Sequence, residues 1–363
     1  MRGLGLFLAV TGLLVAGCAE AGDAGPPSPG AGPSASPTPA TPGGATAGGL
    51  REMMGKLAAD GPAAAYLDYG DMAHWRKLGV VTSGGLGGDS RWLRAVGTGF
   101  GQLASSAALL PEPTGINVYG ADRAVFSGIP PKAAVRVEGT LDAAAIRAKL
   151  TALGAKPRTI GGQEGLSLAA DNAIDQDSVQ VTKLSLLNQL NQVVVTDSAL
   201  VAGSAAAPVA SALGGGPSLA AEPGHAAVAD CLGDVVAAIV AEPPEPGGVA
   251  LYGVGLRRPA TPDAQAVNVV CVLPRVPQVK ETFTGKFTVA ARTTSGDPLS
   301  DLVDGISHDE VTTGGTTVLR ATMKIKQDGP VTLAQEMFHR YELHRLADPM
   351  APPDPFGVLP SPS

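Results

Sequence analysis

The chain reads as an α+β protein: mainly antiparallel sheets with packed helices, arranged as two duplicated α/β-hairpin halves and preceded by a disordered tether. Three observations predict this. Strand-like runs follow one another across short turns, as in NQVVVTD and ALVAG around Asp197-Ser198, which favours antiparallel pairing over a doubly wound parallel sheet. A short pattern recurs: GPAAAYLDYGDM from Gly61 and GHAAVADCLGDV from Gly224 match at Gly61/Gly224, Ala63/Ala226, Ala64/Ala227, Gly70/Gly233 and Asp71/Asp234. In both copies an apolar strand is expected to end at Gly-Asp, with the Asp capping a helix. Composition also changes abruptly near residues 50 and 348.

In chain order, the first half (50–216) should hold a strand near 62–69, a helix at 71–78, a Gly-rich loop at 84–88 and a helix near 90–109. Strands near 115–120, 123–128 and 132–139 follow. Asp142 then opens a helix that stops at Gly154, the Asp as cap and the Gly as terminator. Strands near 158–161 and 164–169 precede the hairpin 192–196/199–203, and SAAAPVASAL closes the half as a helix with Pro208 in its first turns. The second half (217–347) repeats the order. It has a strand near 225–231, a helix at 234–241, strands near 248–257 and 265–273, and a helix or loop at 276–285. The alternation of GKFTVAAR and TTVLRATMKIKQ predicts half-exposed strands. PVTLAQEMFHRYELHRL reads as one long amphipathic helix.

The first 18 residues carry one charge, Arg2, then an apolar run, then Ala16 and Gly17 before Cys18. That is the layout of a cleaved secretory signal, too short to span a bilayer, which takes about 20 apolar residues. Val15-Ala16-Gly17-Cys18 resembles the bacterial lipobox. The resemblance implies that residues 1–17 are removed and that Cys18 becomes the lipid-modified N-terminus. Two acyl chains hold a protein stably on a membrane where one does not. Residues 18–49 contain seven prolines, no Lys or Arg before residue 50, and little that is apolar beyond Ala. Such a segment cannot offset its ordering entropy and serves as a tether of about 30 Å as a coil or about 90 Å fully extended. Residues 348–363, with six prolines, read as a second disordered end. The strand–Gly-Asp–helix opening, the helix start at Gly139-Thr140-Leu141-Asp142 and the VVV-TD-ALVAG hairpin together resemble uncharacterised envelope lipoproteins of actinobacteria, over about residues 60–340. The resemblance implies fold and location on the outer face of the cytoplasmic membrane. It implies no chemistry.

Loss of the leader removes one of 26 basic side chains and none of the 33 acidic ones, leaving 25 against 33. A net acidic chain argues against nucleic acid or an anionic lipid surface as main partner. With Cys18 modified, Cys231 and Cys271 remain, and two leftover cysteines in an oxidising compartment are expected to pair.

The search for chemistry is largely negative. The five histidines are His74, His225, His308, His339 and His344. His339 and His344 lie five apart, about 140° round a helix, so they cannot grip one metal, and a surface role is expected. Neither G-x-S-x-G nor S-x-x-K occurs. Gly97-Thr98-Gly99-Phe100-Gly101 follows no predicted strand and reads as a packing or hinge element, not a phosphate cradle. Asp171, Asp175 and Asp177 lack the sixth-position Gly and twelfth-position acid of a calcium loop. Asp297, Asp301 and Asp304 fall on one helical face and read as solvated. Between the strands at 164–169 and 192–196, Leu184, Leu186, Leu187 and Leu190 form either a core-packed helix or an exposed lip for a ligand or partner. No catalytic set, metal site or cofactor is predicted. The expectation is a non-catalytic envelope lipoprotein that binds a protein partner or assists envelope assembly, with a carrier of lipid or another hydrophobic ligand as the alternative.

Overall fold

Two apolar clusters, one on each face of a single sheet, organise the computed structural model, which describes residues 48–88, 90–174, 184, 186 and 188–351. Residues 1–47, which hold Cys18 and most of the expected leader and tether, and residues 352–363 lie outside the described residues. The chain opens with α1 (Gly48–Met54), which overlaps the end of the expected tether. Then come β1 (Tyr66–Asp71), α2 (Met72–Lys77), the short strands β2 (Val81–Thr82) and β3 (Gly85–Leu86), α3 (Gln102–Ser105) and α4 (Pro111–Thr114). The rest of the first half is β4 (Arg123–Ile129), β5 (Lys132–Glu138), α5 (Ala143–Ala152), β6 (Lys156–Ile160), β7 (Gln163–Ser167), β8 (Gln192–Val195), β9 (Ala199–Gly203) and α6 (Ala206–Leu213). The second half holds α7 (Pro223–Leu232), β10 (Val235–Ala241), β11 (Val249–Arg257), β12 (Val267–Pro274) and α8 (Gln278–Lys286). It ends with β13 (Val303–Thr313), β14 (Thr316–Ile325), α9 (Leu333–His339) and α10 (Glu342–Ala347).

Twelve of the described strands form one antiparallel sheet, ordered β13-β14-β12-β11-β10-β1-β4-β5-β9-β8-β7-β6. The predicted α+β class with antiparallel strands is what the structure shows. The two halves share this sheet, joined where β1 pairs with β10. Each half has the same plan. A three-stranded meander (β1-β4-β5, β10-β11-β12) is followed by a helix, α5 or α8, and then a returning hairpin whose last strand pairs with the third strand of the meander, β9 on β5 and β14 on β12. The first half adds residues 72–122 between its first two strands, and the hairpin β6-β7.

Several expectations are corrected. VVAAIVA is β10, not a helix: all seven residues are buried, and a strand covered on both faces loses the alternation that would betray it. The preceding stretch is helix α7, not a strand, begun by Pro223 and ended by Gly233 at φ +68°. The repeat as aligned in sequence therefore fails, because Gly70-Asp71 ends a strand while Gly233-Asp234 ends a helix. The two Asp residues nonetheless meet. Arg258 donates to both Asp234 oxygens (2.9 and 3.0 Å) and to Asp71 Oδ2 (2.9 Å), and Asp71 also caps α2 at His74 N (2.9 Å). Residues 90–109 do not form one helix, since Gly97, Gly99 and Gly101 all have positive φ. Residues 115–120 are loop and turn rather than strand, as are 287–291. Asp304 belongs to β13. The expected long C-terminal helix is broken at Tyr341, φ +60°. Asp348 is no part of a loose end: its carboxylate accepts from Gly248 N (3.0 Å) and Val249 N (3.3 Å).

Cys231 and Cys271 form a disulfide, Cα–Cα 6.2 Å, that ties α7 to β12. The pairing is as expected, though Cys231 sits on a helix.

Candidate functional site

On one face of the sheet, α9 and α10 from the second half and residues 91–101 from the first leave a cleft over the central strands. Its floor follows from register. Asp68 lies opposite Ile239 on β10 and Phe126 on β4, and Tyr66 opposite Ala241. Residues two apart on a strand share a face, so Tyr66 and Asp68 look into the cleft while Leu67 and Tyr69 enter the cluster behind the sheet.

The far wall is held in place by side chains from distant strands. Asn268, buried on β12, donates to Val331 O (2.8 Å) and accepts from Ala334 N (2.9 Å), fixing the start of α9. Glu342 accepts from Thr294 N (2.9 Å) and Oγ1 (2.6 Å), and Asp348 holds the end of α10 on β11. The turn at Tyr341 follows from these two anchorages. The near wall is tied across to the second half by Trp92 Nε1 to Pro262 O (2.6 Å) and Arg91 to Gln327 Oε1 (2.7 Å).

The cleft consists of three adjoining hollows that share lining residues. The first, about 410 Å³, is polar: Asp68, Arg94, Thr98, Gln335, Glu336 and His339. The second, about 360 Å³, is walled by Tyr66, Phe126, Ile129, Pro130 and Phe338. The third, about 100 Å³, lies beneath Pro244, Arg340, His344, Arg345 and Met350. Ile129 and Met350, each 62% exposed, stand on the rim.

Asp68 is the unusual group. Its Oδ2 accepts from Gly99 N (3.1 Å), while Oδ1 is enclosed and has no partner. Burial pushes its carboxyl up to about 7, against a smaller downward pull from the Gly99 N–H. Gln335 is 7% exposed and its Nε2 is unpartnered. Glu336, by contrast, is well supplied: Thr332 Oγ1 donates to it (3.0 Å), and Arg94 and Arg340 stand 3.7 and 3.9 Å away. His344 is buried, not on the surface as expected. It packs on Tyr252 (centroids 4.5 Å) and Phe338 (5.4 Å) with both ring nitrogens unpartnered, and burial lowers its pKa to about 4. The imidazole is therefore neutral near pH 7.

Leu184, Leu186 and Leu190 do not form a lip: they are 5%, 0% and 1% exposed and belong to the core. Leu187 lies outside the described residues. Asp171 pairs with Arg158 (2.7 Å); Asp175 and Asp177 lie outside. Among the described residues no cluster of three His, Cys, Asp or Glu is placed to hold a metal, and no helix is long and apolar enough to cross a membrane.

Sequence reasoning missed Asp68 and Gln335. Both carried a signal. Asp68 is an acid set between Leu67 and Tyr69 inside the strand, and Gln335 interrupts the apolar face formed by Leu333, Ala334, Met337 and Phe338. A buried polar side chain without a partner is costly, so such interruptions call for an explanation beyond packing.

No family model matches the chain, and no curated protein matches it. A solved structure described as crystal form III of TP0453 overlays 78% of this chain and 97% of its own at 8% identity, with a TM-score of 0.36. A likeness at that score carries no argument about this protein.

Proposed function

We propose that the protein is a membrane-anchored, extracytoplasmic binding module without catalytic activity, which holds a small hydrophobic or amphiphilic ligand in the midline cleft. One observation carries this: an aromatic-walled groove of several hundred Å³ whose exposed apolar residues stand at its mouth. Small-molecule sites are typically about 300–1,000 Å³, mostly apolar, with a few placed polar groups. The groove thus favours the hydrophobic-ligand alternative over the partner-protein reading. The absence of catalysis is supported by how the polar groups are arranged. Asp68 is held by a backbone amide and His344 lies among rings, so neither is paired with a hydroxyl or thiol, and Glu336 is engaged by Thr332 at the start of its own helix and by two arginines. The location rests on the lipobox-like run ending at Cys18.

A second reading, an envelope-assembly module that binds another protein, is favoured by β13. This eleven-residue strand is at the edge of the sheet and almost wholly exposed or half-exposed, and an open edge is a template for pairing with another chain.

Two variants test the first reading. Ala65→Trp adds a bulky ring at the wall of the central hollow. The full chain, gently extracted from membranes, is expected to carry extra mass in native mass spectrometry, and the Ala65→Trp chain to lose it while remaining folded. A bare wild-type mass, with no binding of apolar dye, would remove the reading. Cys18→Ser is expected to move the protein from the membrane fraction to the soluble one; retention with the membranes contradicts the anchor.

A further inference from the structure

We propose that the polar end of the cleft selects an uncharged, hydroxyl-bearing head group, so that the ligand is a single-chain amphiphile of the acylglycerol type. Its head would lie between Asp68 and Gln335 and its chain over Tyr66 and Phe126. The inference rests on the binding reading above and deepens it.

The argument begins with two open hydrogen-bonding groups in one hollow. Asp68 Oδ1 is an acceptor without a donor, and Gln335 Nε2 is a donor without an acceptor. Leaving either unsatisfied is unfavourable, because each gave up water on folding. A hydroxyl answers either kind of group: it donates to a carboxyl oxygen and accepts from an amide N–H. An ammonium head answers Asp68 but sets donor against donor at Gln335. A carboxylate or phosphate head brings negative charge beside Asp68 and Glu336. The arginines that would offset it, Arg94 and Arg340, already face Glu336 at 3.7 and 3.9 Å. An uncharged head also suits Asp68 whether or not its carboxyl holds a proton, since each form has an oxygen free to pair with a hydroxyl.

The requirement for a chain comes from what adjoins this hollow. His339 lines both the polar space and the next one, where Phe126, Ile129, Pro130 and Phe338 offer apolar surface and the exposed Glu242 adds a carboxylate but no cation. From Phe126 to Ile129 along β4 is about 10 Å of strand, so the apolar surface extends well beyond the head and accepts several methylenes.

The test is competition against a neutral apolar dye, N-phenyl-1-naphthylamine, on the full chain at pH 7, with 1-monolauroylglycerol, laurate and dodecylamine each below its micelle concentration. Monolauroylglycerol is expected to compete at least about tenfold more strongly than either charged amphiphile, the equivalent of one well-made hydrogen bond. Gln335→Leu keeps the shape of the side chain and removes an unsatisfied donor, so it should fold at least as well as wild type. It is expected to erase about tenfold of the preference for monolauroylglycerol over laurate and dodecylamine. Equal competition by the three heads, or a preference that survives Gln335→Leu, overturns the head-group assignment while the apolar cleft stands. Failure of the dye to bind wild type, with no competition by any of the three, overturns both.

Discussion

Gly70→Ala is expected to lower the free energy of unfolding by about 3 kcal/mol or more, through overpacking against rigid neighbours. A Cβ at this position would lie 1.9 Å from Thr98 O and 2.8 Å from Thr98 C. The obstacle is backbone, not a side chain that can turn away. The 97–101 loop also has little freedom to retreat. Gly99 N is bonded to Asp68, Thr98 Oγ1 donates to Ala95 O (2.8 Å), and Gly99, at φ +84°, runs so near the strands that a Cβ there would lie 2.6 Å from Gly70 N and from Ala124 O. Lifting the loop breaks the Asp68–Gly99 bond and opens the near wall, so dye binding should fall with stability. Gly305→Ala is the control: nothing lies within 4 Å of its Cβ position, and a change within about 0.5 kcal/mol is expected. Urea unfolding midpoints for the two variants decide the matter. Similar midpoints for both would mean that the loop is not pressed on the strand.

The same residues show what could be read from the sequence and what could not. The hairpin β8-β9 and the helix opened by Asp142 were legible because their signals are local. A turn sits between two apolar runs, and a carboxylate accepts from Ala145 N at 2.9 Å. The disulfide was legible from the cysteine count and the oxidising compartment that the lipobox-like start leads one to expect. β10 was not, because VVAAIVA is apolar on both faces and has no period to distinguish strand from helix. The elbow at Tyr341 was hidden for a different reason: its cause lies in Asn268, Thr294 and Gly248, all far away in sequence. The repeat of Gly-Asp pointed to a true symmetry through a false alignment. The halves do share a plan, but what the two Asp residues share is Arg258. The cleft was least legible of all, since it exists only where the halves meet, and Asp68 and Gln335 are single polar interruptions in apolar segments.

Asp68→Asn is expected to stabilise the fold by about 2–4 kcal/mol above pH 7 and to have little effect near pH 4. Burial raises the carboxyl from its ordinary 3.8 to about 7 in the folded chain. Between those values the unfolded chain has released its proton and the folded chain still holds one. The unfolded state therefore binds fewer protons, and stability falls as pH rises through this window, levelling off above about 7. Asn resembles the protonated acid at every pH and can still accept from Gly99 N, so it avoids that loss. His344 works in the opposite sense. Burial lowers its pKa to about 4, so between about 4 and 6.5 the unfolded chain binds the extra proton, and stability rises with pH. Burial also lowers His74, His225, His308 and His339, so their slopes add to that of His344, and in wild type Asp68 opposes the sum between about pH 4 and 6.5. With Asp68→Asn that opposing slope is gone, and the melting temperature should climb more steeply over the same range than it does in wild type. A variant that melts with wild type at pH 8 would show that Asp68 ionises in the folded chain without penalty, and that its enclosed oxygen already has a partner.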